Sequence, residues 1–328
     1  MNDVKVKIDL LKPAGSLEWG YPLIVTKAEE AANAVGYTVC RSLTDVIDAG
    51  FGSSTDVYKA AEKMFTQKHP PLKIAVAALT ALDTENLSAL TGEDWRQLVV
   101  IADAADKTGV KAYIDTTEKL YFAAASSASE LSAYADDDRV VAVVHRSQAN
   151  LAAAAVAGEA AGREVGSFTY KNLILTGITP EDFTESEIEA IHAAGGITVL
   201  KKAGDVVTSE GLVASGEYAD IIDCKDFIIQ QLTYKTQKLL NMMAKLPFDN
   251  RGIAILENAA IDVLKDAFNR GMIAVDDDGN PLYSVSYALR SEVDAGDIAA
   301  RKYKGGRFAF TLAGAIHNVE ITGEISVA

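Results

Sequence analysis

The sequence predicts an α/β core followed by an α+β C-terminal part, with a β-strand at each end of the chain. Three observations predict it. Short, nearly continuous apolar runs alternate with helical segments from residue 72 to about residue 162, the pattern of a parallel sheet covered on both faces. After residue 166 the order changes to long helices and short strands. Strict apolar/polar alternation, the period of a half-buried strand, is confined to the two ends.

At the N-terminal end Val4, Val6, Ile8 and Leu10 share one face and Lys5, Lys7 and Asp9 the other. Pro13 and Gly15 separate that strand from the rest of the chain. A short extended piece, Pro22 to Thr26, precedes a helix expected from Lys27. The Gly-rich turn Gly50–Thr55 opens a helix reaching Phe65, with Ser53 to Thr55 as N-cap candidates. Leu72 to Ala78 reads as a strand, and Asp94 to Thr108 as a helix stopped by Gly109. Lys111 to Asp115 reads as a strand, Ser126 to Tyr134 as a helix, and Val140 to His145 as a buried strand. Gln148 to Ala161 is an Ala-rich helix closed by Gly162.

In the second part, strands are expected over Phe168–Leu175 and Ile197–Leu200. The helix between them, Thr184–Ala193, starts with the Thr184…Glu187 capping box. Helices follow over Asp226–Ala244 and from Ile253 to Arg270. Strands Met272–Val275 and Leu282–Tyr287 flank the acidic turn Asp276–Pro281. Arg307–Leu312 alternates with Phe308, Phe310 and Leu312 on one side. After Ala313-Gly314-Ala315 a new alternation sets Val319, Ile321, Ile325 and Val327 against Glu320, Thr322, Glu324 and Ser326.

Composition narrows the function classes. The 328 residues carry 31 basic and 46 acidic side chains, a net charge of −15. That disfavours nucleic acid, whose binders need a basic face, and anionic membrane surfaces. No Lys/Arg run is longer than a pair, as at Lys201-Lys202. The first residues show no apolar signal region. Apolar stretches such as Leu98–Ala102 fall far short of the ~20 residues a bilayer requires. The two cysteines, Cys40 and Cys224, are too few for a disulfide framework, and a reducing cytoplasm is the expected folding compartment.

Nothing in the residues points to catalysis, a metal or a cofactor. The four histidines stand apart, at positions 69, 145, 192 and 317, with no metal-ligand spacing. Setting Gly279 at position 6 of a calcium loop puts Val285 at the ligating position 12. Gly50–Thr55 could cradle a phosphate, but it lacks the third Gly of a dinucleotide fingerprint and the Gly-Lys-Ser/Thr of a P-loop. An α/β enzyme using a nucleotide at that turn is therefore the alternative reading.

The two end strands must pair either in the home sheet or in a neighbour by β-augmentation. Periodicity alone leaves both open and makes the home sheet the plainer choice. A dimer exchanging strands is a third reading.

From Gly166 onward the chain resembles the tail sheath proteins of contractile-tailed bacteriophages and related contractile injection machines. The likeness rests on Gly177-Ile178-Thr179-Pro180-Glu181-Asp182-Phe183-Thr184, on Gly216–Asp223 leading into Lys225-Asp226-Phe227-Ile228, and on Leu246-Pro247-Phe248-Asp249-Asn250-Arg251-Gly252-Ile253. Asn269–Ile273 and the closing run Phe308–Ile325 extend it, and Phe51–Ser54, Tyr58–Ala61 and Ala112–Thr117 fit in the first half.

The resemblance implies a non-enzymatic, cofactor-free subunit with a subtilisin-like layout in its core, stacking helically around an inner tail tube protein. Baseplate and tail terminator proteins would be its other partners. Its location would be the tail sheath of a virion, assembled in the host bacterial cytoplasm. It also implies four segments: an N-terminal linker arm 1–16, an α/β core 17–220, a C-terminal α+β domain 221–312 and a C-terminal linker arm 313–328. Val4, Val6, Ile8 and Leu10, and Val319, Ile321, Ile325 and Val327, would be the polymer contacts, with Pro13, Gly15 and Gly314 as hinges. A non-closing head-to-tail contact of this kind gives a filament.

Overall fold

The computed structural model describes residues 19–28, 36–103 and 108–322. Val4, Val6, Ile8, Leu10, Pro13, Gly15, Ile325, Val327 and most of the helix expected from Lys27 lie outside the described residues.

The first part builds β1 (Tyr21–Lys27), β2 (Thr38–Cys40), α1 (Leu43–Asp48), α2 (Asp56–Phe65), β3 (Ile74–Leu79), α3 (Thr84–Ser88) and β4 (Trp95–Ile101). Next come α4 (Thr108–Ile114), β5 (Leu120–Ala125), a 3₁₀ turn (Ala128–Tyr134), β6 (Val140–Val144) and α5 (Ala149–Ala161). The chain continues through α6 (Glu185–Ala193), β7 (Gly196–Lys202) and β8 (Asp205–Thr208). The eight strands form one sheet in the order β2-β3-β1-β4-β5-β6-β7-β8. The six inner strands are parallel, and β2 and β8 pair antiparallel at the two edges.

Alternation along the buried strands splits the core in two. Ile24, Val76, Val99, Phe122 and Val141 face α2 and α5. Leu23, Val25, Val100, Tyr121 and Ala142 face α3, α4 and α6 through Leu87, Tyr113 and Ile191. Helix α5 is buried on all sides from Ala152 to Ala160, which is why its sequence is nearly all small residues. Thr184 and Glu187 form the expected capping box on α6.

The C-terminal part holds α7 (Ala219–Met242), α8 (Asn250–Asn269), β9 (Tyr283–Tyr287), α9 (Ala295–Ala299) and β10 (Gly306–Phe310). Its own small core joins Cys224, Phe227 and Ile228 of α7 to Val263, Leu264 and Ala267 of α8.

Several expected elements change type. The segment expected as helix Asp94–Thr108 contains β4, every residue of which is buried. A strand buried on both faces loses the alternation that marks strands, and its run of apolar residues mimics a helix. Of the segment expected as strand Lys111–Asp115, Lys111–Ile114 is helical in α4 because Val110, Tyr113 and Ile114, spaced as one helix face, enter the core. Gly109 lies inside that helix rather than after one. Phe168–Leu175 and Met272–Val275 are irregular chain joined to the rest by single bridges, Ile174 to Val207 and Ile273 to Leu312 among them. Ser126–Tyr134 contracts to the 3₁₀ turn. Helix α7 begins seven residues before the expected Asp226.

Candidate functional site

Strands β9 and β10 pair antiparallel, from Tyr283 opposite Phe310 to Tyr287 opposite Gly306. Tyr283, Val285, Phe310 and Leu312 pack on the α7–α8 core. The sheet has two strands only, so among the described residues the outer edges of both strands have no ladder partner. The apolar face also runs past its support. Phe308 stacks in line with Phe310, ring centroids 6.4 Å apart, yet remains 44% exposed. An open edge beside a part-covered apolar face is a template for an added strand.

Residues 313–318, where the sequence expects the C-terminal arm to begin, follow this sheet directly, with the Ala313 amide bonded to the Met272 carbonyl. Gly314 takes a left-handed turn, φ +64°, and with Ala315 sits in a small cleft against Thr169, Ile221 and Cys224. Contact continues beyond the expected hinge. The His317 ring stands edge-on to Tyr218 with centroids 4.8 Å apart. Its Nε2 is 3.0 Å from the Thr169 hydroxyl and its Nδ1 is 3.2 Å from Glu210. Lys171 Nζ donates to Glu210 at 2.7 Å and to the Asn318 side-chain oxygen at 3.3 Å. Past this clip Val319 and Ile321 are 74% and 88% exposed, with no strand pairing from residue 313 to residue 322. His317→Ala is expected to remove about 1–2 kcal/mol of local anchoring. Limited proteolysis checks it: cleavage between residues 313 and 318 should speed up while global melting stays put.

The described chain opens on the same helix. Trp19 packs on Phe227 of α7 with ring centroids 5.7 Å apart, and the Arg96 guanidinium lies 4.7 Å from its ring centre. Arg96 is buried between two α7 carboxylates, Asp223 at 2.6 Å and Asp226 at 2.8 Å. Tyr170 donates to the second oxygen of Asp223 at 2.6 Å, and Arg139 forks onto Asp226. Burial works against the guanidinium charge, but Asp223 and Asp226 outweigh it and hold the Arg96 pKa above its ordinary value. Tyr218 meets His317, Ile221 and Cys224 line one cleft with Gly314 and Ala315, and Phe227 meets Trp19. The first turns of α7 therefore carry the chain on both sides.

Sequence reasoning missed this junction. The sequence-based helix starts only at Asp226, although the three-residue spacing of Asp223 and Asp226, with Phe227 beside them, is a helix-face signal.

Both ends of the Gly50–Thr55 turn are committed to their own fold. The amides of Gly50, Phe51 and Thr55 bond to main-chain carbonyls, Thr55 Oγ1 caps the Tyr58 amide, and Phe51 is in the core. Each histidine has its own structural partner: His69 on Glu159, His145 on Thr179 and the amides of Ser147 and Gln148, His192 on Ser209, His317 on Thr169. Among the described residues no group of three His, Cys, Asp or Glu side chains is placed to hold a metal, and no helix is long and apolar enough to cross a membrane. Cys40 and Cys224 are free thiols. Burial first, then nearby carboxylates, push their pKa values up to about 11 and about 12. The acidic turn closes on itself, Asp276 accepting from the amides of Asp278 and Asn280.

No family model matches the sequence, and no curated protein matches it. Solved structures do match, end to end. A chain of the six-fold symmetrised anti-feeding prophage baseplate superposes with a TM-score of 0.74 at 14% identity, covering 100% of this chain and 99% of its own. A chain of the contracted anti-feeding prophage helical sheath gives 0.71 at 14%, covering 98% of each. A chain of the contracted sheath complex of an extracellular contractile injection system, PVC, gives 0.74 at 12%, covering 100% and 98%. Over its whole length, the chain has the fold found in contractile injection system sheaths.

Proposed function

We propose that this chain is a structural subunit of a contractile sheath. It polymerises as a helical tube around an inner tube protein and shortens to drive that tube through a target cell envelope. The observation that carries the reading is the unsatisfied two-stranded sheet of β9 and β10 beside the C-terminal arm root, on a fold shared end to end with sheath chains. In this reading the chain divides into arm 1–16, core 17–220, C-terminal domain 221–312 and arm 313–328. The arms of neighbouring copies add strands to that sheet: Val4, Val6, Ile8 and Leu10 from one end, and Val319, Ile321, Ile325 and Val327 from the other. Pro13 and Gly15 give the N-terminal joint and Gly314 the C-terminal one, with the His317–Asn318 clip setting where the latter becomes free. Each added hydrogen bond contributes only about 1 kcal/mol, so the linkage works by repetition along a polymer.

The resemblance extends this to a tail-sheath location, assembly in the host bacterial cytoplasm, and contacts with baseplate and terminator proteins at the tube ends. No reaction and no cofactor enter: the shortening draws on better packing between neighbours. Negative-stain electron microscopy of the purified chain, beside a version lacking residues 1–14 and 314–328, tests the reading. Hollow striated tubes are expected from the full chain and none from the trimmed one. A compact monomer in both samples overturns it.

A further inference from the structure

The cleft at the start of α7, about 270 Å³, has a carboxylate in its wall. Thr169, Asp220, Cys224, Met272, Gly314 and Ala315 line it, and among the described residues there Asp220 faces no Lys, Arg or His. Asp220 Oδ1 is buried and has no hydrogen-bond partner. A carboxylate oxygen taken from water without a partner disfavours the charged form. Burial accordingly pushes the Asp220 pKa up. Its own amide and then His317 pull the other way, Asp223 adds to the rise, and the net direction is upward.

The cover over this carboxylate is light. The Ala313 amide is bonded to the Met272 carbonyl. Beyond it the polar contacts of residues 314–318 are those of His317, on Thr169 and Glu210, and of Asn318, on Lys171. Gly314 is left-handed and Ile316 is exposed, so the segment lies on the body without being laddered into it. His317 Nδ1 is itself buried and unbonded, although Glu210 stands 3.2 Å away. The segment and the helix turn beneath it thus each bury a polar atom that lacks a partner, which costs free energy on both sides.

The other charged groups around this place are answered. Glu210 pairs with Lys171, Lys202 donates to the Ser209 carbonyl, and His192 meets the Ser209 hydroxyl. Burial lowers the pKa of both His192 and Lys202. On α7, Asp223 is held by Arg96 and Tyr170, and Asp226 by Arg96 and Arg139. Arg270, next to the cleft wall, is held by Glu164 and Asp266. The Cys224 thiol, pushed up to about 12 by burial, stays protonated. Asp220 is left as the group whose charge nothing meets.

We propose that residues 314–318 are a proton-operated latch, seated on the first turn of α7 while Asp220 is protonated and loosened when Asp220 is charged. The direction follows from linkage. Asp220 holds its proton more tightly when covered than when open to water, so seating takes up a proton. The seat is firmest below the ordinary carboxylate range and weakens as pH rises through the raised value. The latch stands without the sheath reading, which adds only that loosening frees the chain beyond residue 318 for a neighbour.

The test reads the mobility of a nitroxide on Ile316→Cys by electron paramagnetic resonance, on the full chain below the concentration at which tubes form. The thiols of Cys40 and Cys224 are buried and should stay unlabelled, which the chain without the new cysteine checks. From pH 8 to pH 4.5 the ratio of mobile to immobile signal should fall about threefold or more, with circular dichroism unchanged. Asp220→Asn keeps the shape without the charge, and its signal should be immobile at both pH values; Asp220→Ala gives the same reading where the Asn chain does not fold. His317→Gln should be mobile at both. A native ratio that ignores pH, or an Asp220 variant that titrates as the native chain does, overturns the proposal. Tubes seen or missed by microscopy bear on the sheath reading alone, so the two readings fail separately.

Discussion

Replacing Arg96 with Met is expected to cost the fold about 3–5 kcal/mol, the range for removing one partner of a buried ion pair. The side chains of Arg96, Asp223 and Asp226 are 5%, 4% and 3% exposed, so water cannot substitute for the guanidinium. Asp226 keeps Arg139, but Asp223 is left with the Tyr170 hydroxyl alone. A second change separates charge from packing. Arg96→Met with Asp223→Asn removes the stranded charge and keeps an acceptor for Tyr170, so the double variant should be more stable than Arg96→Met alone. Urea unfolding of the four proteins of this cycle gives the coupling. A loss under about 1 kcal/mol for the single variant would mean the cluster is solvated and the junction is held by its apolar contacts. Trp19 adds a local readout, because its ring rests on Arg96: its emission should shift to the red in the Arg96 variant as the ring loses its cover.

The layout of the fold was legible where pattern and environment agree. The Ala-rich α5 and its Gly162 stop, the Thr184 cap and the buried β6 stand where alternation, composition and capping put them. It was illegible where tertiary burial removes the pattern. β4 carries no alternation because both its faces are covered, and β5, Leu120–Ala125, ends in three alanines, whose intrinsic preference is for helix. The first turns of α7, before the expected Asp226, were missed because the partners of their carboxylates, Arg96 and Arg139, are distant in sequence. At the candidate site, the alternation of Val319 and Ile321 was readable in the sequence, and among the described residues both side chains are exposed. The His317 clip was not, since it assembles from segments far apart in sequence.

Gly158→Ala separates two effects of opposite sign. Within a helix Ala should stabilise by about 1 kcal/mol relative to Gly, and Gly158 lies near the end of α5. A Cβ there, however, would stand 2.6 Å from Met64 Cα and 2.9 Å from Met64 Cβ in α2. These are atoms fixed to a helix backbone rather than the tip of a flexible side chain, so α2 must move away from α5 and the sheet face beneath it. Overpacking of this kind costs about 1–3 kcal/mol for a side chain that can shift, and more where backbone must. Packing is therefore expected to win, with a net loss near ~2 kcal/mol for Ala and a larger one for the β-branched Gly158→Val. Met64→Ala should not rescue either, because it leaves Cα and Cβ in place. Gly52→Ala, where the added atom meets nothing within 4 Å, is the control and should melt like the native chain. A more stable Gly158→Ala would show that α2 yields cheaply. The same series calibrates the assembly experiment: a core variant should lose tubes together with its melting temperature, whereas trimming the arms should lose tubes from a body that melts unchanged.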